Sequence, residues 1–282
     1  MSTFITADST CDLSAELIEK NHIAIMPLLV GLGEEYFQDG VDITPPDIYA
    51  YVAKTKKLPK TAARSVADYQ SFFEKHTENG DELVHFTISS DMSSSYQNAC
   101  IAAQEIAGTV HVVDSRNLST GIALLMLDAL EMAKQGLPAE KIAEAVRERT
   151  GLVRASFVVD TLDYLKMGGR CSSVAALGAN LLKLHPCIEV IDGAMRVTTK
   201  YKGPLSKVIL QYACDKLTKV ENIRPKNVFV THTDCDRAVV ESVLEAVRAT
   251  GLFENIYETK AGGTVNSHCG QGTLGVLYEI NG

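Results

Sequence analysis

The segment Phe157-Val-Val-Asp-Thr-Leu-Asp-Tyr-Leu-Lys-Met-Gly-Gly-Arg170 carries residues well suited to meeting an anion. Arg170 stands directly behind Gly168 and Gly169. Glycines let a ligand approach the backbone closely. Backbone N–H groups and a guanidinium together suit a carboxylate or a phosphate. A Gly-Gly turn that ends a helix, with the arginine in solvent, explains the same residues equally well. A second candidate is Ser89-Ser-Asp-Met-Ser-Ser-Ser-Tyr96, a hydroxyl run between a strand-like and a helix-like segment. One serine suffices as a cap. Five exceed that need and favour ligand contact beside free backbone N–H groups. A third is Val265-Asn-Ser-His-Cys-Gly270, which reads as a loop of small residues from which a ligand could reach the imidazole of His268.

Other patterns point to no chemistry of their own. Gly270-Gln-Gly-Thr-Leu-Gly275 has the spacing of a dinucleotide fingerprint. That motif needs a following helix and a distant acidic residue, and here a strand-like run follows at once. Thr231-His-Thr-Asp-Cys-Asp236 holds potential metal ligands, but no second cluster is spaced to complete a site, so helix capping is favoured. Asp8-Ser-Thr-Cys-Asp12 reads as a turn and cap at the sheet edge that ligands favour in open α/β folds. No phosphate-binding Gly-x-x-x-x-Gly-Lys-Ser/Thr loop and no Ser-centred nucleophile elbow is present.

The elements that must position these candidates alternate through the first half. Phe4–Thr6, Ile23–Val30, Val84–Ile88 and Val110–Val113 read as strands. Leu13–Asn21, Asp68–His76, Ser94–Ile106 and Leu118–Gln135 read as helices. The alternation predicts an α/β fold with a mainly parallel sheet flanked by helices. Lys54–Thr61 reads as an exposed loop. Pro138–Thr150 is a helix ahead of a domain boundary, which gives an N-terminal α/β domain over 1–155 and a C-terminal one over 156–282. In the second, Ser173–Leu184 reads as a helix. Cys187–Ile191 and Met195–Lys200 form a hairpin through Asp192-Gly193. Helices over Leu205–Val220 and Asp236–Thr250 alternate with strands over Asn227–Thr231, Asn255–Lys260 and Leu274–Ile280. The hairpin makes this second sheet mixed.

A chain of 282 residues with 46% hydrophobic residues can bury a large core. Its net charge of −8 argues against nucleic acid or an anionic membrane as a partner. The apolar run Leu118–Leu127 is too short to span a bilayer, and the first residues lack a signal-peptide pattern. Seven scattered cysteines without Cys-x-x-Cys spacing predict neither a disulfide framework nor a zinc site, and fit the cytoplasm.

In order and spacing, several segments together resemble the DegV family of bacterial fatty-acid-binding proteins. They are Asp8-Ser-Thr-Cys-Asp-Leu13, the Thr61 segment, Ile88-Ser-Ser-Asp-Met-Ser93 through Tyr96-Gln97, and Val113-Asp-Ser115. Tyr164-Leu-Lys-Met-Gly-Gly-Arg170, Ile191-Asp-Gly193 and Ser267-His-Cys-Gly-Gln-Gly272 complete the set. The resemblance implies one long acyl chain, palmitate-like in length, bound between two domains. Its carboxylate would be held by Thr61 and Ser93, with Arg170 and His268 completing the site. It implies a lipid-binding protein without turnover, cofactor or metal, which presents the acid to a separate ATP-dependent fatty acid kinase. Leu118–Leu130 and Val174–Leu184 are expected as walls for the tail. The rival reading is an enzyme using His268 on a small carbonyl or phosphorylated substrate.

Overall fold

A computed structural model describes residues 2–175 and 184–282. In chain order, β1 (Thr3–Asp8) leads to α1 (Ala15–Lys20), β2 (Ala24–Met26), β3 (Leu29–Leu32), β4 (Glu35–Gln38) and α2 (Pro45–Thr55). Then come β5 (Lys60–Ala62), α3 (Val66–Thr77), β6 (Glu82–Thr87), α4 (Ser95–Glu105) and β7 (Thr109–Asp114). Two helices, α5 (Thr120–Lys134) and α6 (Ala139–Arg149), precede β8 (Val153–Val158), α7 (Asp163–Gly168) and α8 (Ser172–Ala175). The chain is described again from β9 (Leu184–Ile191), followed by β10 (Ala194–Lys202), α9 (Leu205–Thr218) and β11 (Ile223–His232). It ends with α10 (Arg237–Ala249), β12 (Asn255–Lys260), α11 (Gly263–Cys269) and β13 (Leu274–Ile280).

Among the described residues the strands form three sheets. The first is parallel throughout, in the order β2-β1-β6-β7. The third part of the first half is a small antiparallel sheet, β4-β3-β5. The large sheet runs β10-β9-β8-β13-β11-β12 and is mixed, since only β11 and β12 pair in parallel. The parallel sheet of the first half and the mixed sheet of the second agree with the sequence reading. The 155/156 line falls inside β8, all of which pairs within the large sheet.

The helix α5 joins the layers. Ile122, Ala123, Leu124, Leu125, Met126 and Ala129 are all fully buried. A helix that is apolar nearly all round belongs inside. Its cluster draws Ile5, Val84 and Phe86 from the first sheet and Phe229 and Leu277 from the large one. Each such leucine or phenylalanine contributes about 1.5–3 kcal/mol on burial, so α5 fixes the separation of the two sheets.

Three expectations change. Ile23–Val30 is not one strand: it breaks at Pro27, which has no N–H for the ladder. β2 stays on the parallel sheet while β3 turns into the small one. Arg64 pins the break, donating from Nε to the Pro27 carbonyl at 2.6 Å and from Nη2 to Gln38 Oε1 at 2.7 Å. Lys54–Thr61 is a loop only in its middle, because Lys54 and Thr55 finish α2 and Lys60–Ala62 is β5. Of the expected helix Ser173–Leu184, residues 176–183 lie outside the described residues, and Leu184 already belongs to β9. The Asp192-Gly193 turn forms as expected, with both residues at positive φ and Ala194 opposite Ile191.

Candidate functional site

Thr61, Ser93, Arg170 and His268, read from four distant points of the sequence, line one cavity. Its other walls are mostly apolar, among them Leu28, Ile88, Met92, Leu118, Met195 and Val265. It encloses about 580 Å³ of empty space with its open mouth included. β5 carries Thr61, paired opposite Val30. Ser93 sits in the turn between β6 and α4, which Ser89 closes by accepting from the N–H groups of Met92 at 2.9 Å and Ser93 at 3.2 Å. The Ser93 hydroxyl accepts from the Ser95 N–H at 3.2 Å. Arg170 follows α7, and His268 lies in the last turn of α11.

His268 is therefore on a helix, where the sequence reading has a loop. The run Gly-Thr-Val-Asn-Ser-His-Cys has poor intrinsic helix propensity. Two carboxylates from the first half hold its start. Gly262 N–H donates to Asp12 Oδ1 at 2.7 Å. Gly263 and Thr264 N–H donate to Asp39 Oδ1 and Oδ2 at 2.6 and 3.0 Å. These bonds satisfy amides that a helix start leaves open. Ser119 Oγ donates to Asp12 at 2.5 Å and Ser9 Oγ to Asp39 at 2.9 Å, so both buried carboxylates are well supplied. A Cβ on Gly263 would sit 2.8 Å from Asp39 Oδ1, which explains the glycine. Burial pushes the Asp12 carboxyl up to about 7, against the Ser119 hydroxyl and the Gly262 N–H.

The imidazole of His268 meets Thr61 Oγ1 through Nε2 at 2.8 Å. Its Nδ1 is shut off from solvent and has no hydrogen-bond partner among the described residues. Thr264 Oγ1, one turn earlier on the same face, is likewise buried and unpartnered. Burial first, and Arg170 second, lower the His268 pKa to about 4, so the ring is neutral at pH 7. Gly168 packs against this ring so closely that a methyl there would overlap Nδ1. That close approach is what Gly168 serves, in place of the expected backbone cradle for an anion. Gly169 is a left-handed helix cap, φ 68°, whose N–H donates to the Leu165 carbonyl. Arg170 is exposed at the cavity mouth and donates from Nε to the Met92 carbonyl at 3.3 Å and from Nη1 to the Gly168 carbonyl at 2.7 Å. Three hydroxyls, a neutral imidazole and a guanidinium form a donor set that suits a carboxylate.

Thr264, Asp12 and Asp39 complete the site. Sequence reasoning does not single out Thr264 or Asp39; it gives the Asp8–Asp12 segment a turn and capping role and leaves open a supporting role at the sheet edge that ligands favour. The i, i+4 spacing of Thr264 and His268 is a usable signal once a helix is assumed. Asp236 caps α10 by accepting from Ala238 N–H at 2.8 Å, as the capping reading has it. Among the described residues no group of three or more His, Cys, Asp or Glu side chains is arranged to hold a metal. No helix among them is long and apolar enough to cross a membrane.

The model of the family described as "Uncharacterised protein, DegV family" matches residues 2–281. A DegV domain-containing protein of Clostridium perfringens is 34% identical over 200 residues, 71% of this chain and 72% of the relative. Among solved structures, a DegV family protein from Thermus thermophilus studied for fatty acid binding superposes with a TM-score of 0.88 at 28% identity, covering 99% of this chain and 100% of that one. A stearic acid-binding protein from Eubacterium ventriosum superposes with a TM-score of 0.86 at 30% identity, covering 99% and 98%. With a family match across nearly its whole length and the same fold from end to end, this chain belongs to the DegV family.

Proposed function

We propose that this protein binds a long-chain fatty acid, with its carboxylate among Thr61, Ser93, Arg170 and His268 and its tail along the apolar wall. The observation that carries this reading is the convergence of those four side chains on one otherwise apolar cavity. A carboxylate left without partners in such a place would cost several kcal/mol, and the donors offset that cost. Burying about fourteen methylenes contributes on the order of 11 kcal/mol gross. Chain ordering and lost free motion subtract from it, which leaves micromolar or tighter affinity.

His268 orients the head group in this reading. An imidazole pushed down to about 4 is a weak base at neutral pH, so it does not support the rival enzymatic reading. The head-group end lies at the mouth beside exposed Arg170, where a partner reaches the carboxylate without extracting the tail. That geometry, with the family resemblance, supports presentation of the acid to a separate ATP-dependent fatty acid kinase. Unpaired cysteines throughout the chain fit the cytoplasm as its place of action. The bound acid is the only small molecule this role requires.

Native mass spectrometry of freshly purified protein tests the proposal. A co-purifying C14–C18 acid, released on denaturation, is the expected result. A protein that arrives empty and takes up no such acid when it is offered contradicts it.

A further inference from the structure

Three segments far apart in the sequence, Ile88–Ser93, Val113–Arg116 and Ile191–Gly193, meet at the turn that carries Ser93. Ser89 is the base of that turn. Its N–H donates to the Asn117 carbonyl at 2.9 Å. Its buried Oγ donates to the Gly193 carbonyl at 2.7 Å. Gly193 belongs to the Asp192-Gly193 turn between β9 and β10, so this bond ties a loop of the parallel sheet to a hairpin of the large one. Arg116, between β7 and α5, grips the outer side. Its own N–H donates to Asp114 Oδ1 at 2.9 Å, and the Ser90 N–H reaches the same oxygen at 3.2 Å. Its guanidinium donates to Ser90 Oγ at 3.2 Å, to Asp91 Oδ2 at 3.0 Å and to the Asp192 carbonyl. A Cβ on Gly193 would overlap that guanidinium. Arg116 holds these partners from φ 51°, a left-handed conformation that residues other than glycine seldom adopt. Partly exposed ion pairs such as Arg116–Asp91 add little stability, and the backbone conformation subtracts from it. What the cluster secures is position.

We propose that Arg116 is a positioning residue for the fatty acid carboxylate and acts through Ser93. This rests on the fatty-acid reading above and adds to it a residue that does not line the cavity. Ser90 and Asp91 are held between Arg116 and Asp114. The Ser89 carbonyl accepts from the N–H groups of Met92 and Ser93, so the place of Ser93 follows from that of the residues before it. Arg170 rests on the same turn, through the Met92 carbonyl at 3.3 Å. Thr61 and Ser93 come from the first half of the chain, Arg170 and His268 from the second. Arg116 joins the turn to the hairpin of the second half at Asp192, and thereby keeps the two sets of donors in register. Without its guanidinium, Ser90 and Asp91 lose their side-chain anchor, and only the Ser89 hydroxyl still ties the turn to the hairpin. Ser93 then spends less time where its hydroxyl meets the carboxylate.

A double-mutant cycle tests this. Hexadecanoic acid is titrated into the delipidated parent, Arg116→Ala, Ser93→Ala and the double variant. Arg116→Ala is expected to weaken binding about tenfold, the lower end of what a hydrogen bond to a charged group is worth. In the Ser93→Ala background the same change should cost about threefold or less, because the group it positions is gone. A merely structural role for Arg116 would cost the same in both backgrounds, and that result overturns the proposal. So does a parent affinity that Arg116→Ala leaves unchanged. Ser93→Ala binding as tightly as the parent removes Ser93 from the site and the assignment of Arg116 with it. A parent that binds no acid overturns the fatty-acid reading itself. Arg116→Lys serves where Arg116→Ala does not fold. It keeps the charge, but one ammonium cannot hold Ser90, Asp91 and Asp192 as the planar fork does. The same non-additive pattern with Ser93→Ala is expected, and an additive one contradicts it.

Discussion

The cavity that holds the four polar residues and a second one sharing Leu118, Val265 and Cys269 with it, lined also by Ser119, Thr231, His232, Thr233 and Thr273, are built from similar residue types but differ in which hydroxyls are already bonded. Both contain threonines and a serine. At the mouth, Thr264 Oγ1 and His268 Nδ1 are buried without partners. In the second cavity the hydroxyls of Ser119, Thr231, Thr233 and Thr273 are bonded to the protein itself, while His232, also on its lining, keeps a buried Nδ1 without a partner among the described residues. Polarity toward a ligand is thus set by which groups remain unsatisfied, and composition alone misleads. The mouth holds desolvated groups in reserve, and a carboxylate that pairs with them recovers their lost hydrogen bonds.

The sharpest way to break this contrast is Arg170→Ala. Loss of a charged donor is expected to weaken fatty acid binding about 10–100-fold, in line with about 1.5–3 kcal/mol for a charged hydrogen bond. The melting temperature should move little, because Arg170 is exposed. Unchanged affinity would remove it from the site. Gly168→Ala comes next. The added methyl overlaps His268 Nδ1 and drives the ring away from Thr61. Binding should weaken about tenfold, with an overpacking cost of about 1–3 kcal/mol in stability. The ring's NMR titration should move up from about 4 toward its ordinary value. A ring still titrating near 4 would show that it had not moved.

Thr233→Val reverses the pattern. It removes a hydroxyl bonded to the Gly270 carbonyl, so stability should fall by about 1–3 kcal/mol in denaturant titrations. Fatty acid affinity should stay within about twofold. A loss of affinity without a loss of stability would mean that the hydroxyl faces the ligand after all.

The smallest effects concern pH, and the two ends of α11 titrate with opposite sign. Folding lowers the His268 pKa to about 4. The stability tied to its neutral form is present above the unfolded value near 6.5 and is lost as pH falls through about 4. Folding raises Asp12 to about 7. Its contribution is full below the unfolded value near 3.8 and is lost as pH rises through about 7. Asp12→Asn keeps a carbonyl for Gly262 and an amide for Ser119. The variant should gain stability relative to the parent as pH rises from 5 to 8. His268→Gln should flatten the parent's loss below pH 6. Parallel pH profiles for parent and variants would contradict these assignments.

The parallel sheet, the mixed sheet and the Asp-Gly hairpin are legible in the sequence because local pattern and tertiary structure agree there. Thr61, Ser93, Arg170 and His268 are legible through the family resemblance, and the structure brings them to one cavity. Local pattern fails where distant partners decide. α11 forms from poor helix formers because Asp12 and Asp39 hold its start from more than two hundred residues away. The purpose of Gly168 is hidden because the atom it makes room for belongs to His268. The engaged hydroxyls of Ser119, Thr231, Thr233 and Thr273 are invisible for the same reason. Two signals lie in plain view and go unread in the sequence reading. Thr44-Pro-Pro-Asp47 is a capping box with prolines at the helix start, and it begins α2. Pro27 interrupts the strand-like run over Ile23–Val30 and marks the division between β2 and β3.

The most direct measurement is a crystal structure of the protein saturated with hexadecanoic acid. The account predicts carboxylate oxygens within about 3 Å of Thr61 and Ser93, Arg170 and His268 beside them, and the tail along the apolar wall of the same cavity, with Leu28, Ile88, Met92, Leu118, Met195 and Val265. A carboxylate bound away from these side chains, or a tail that lies outside this cavity, would contradict it.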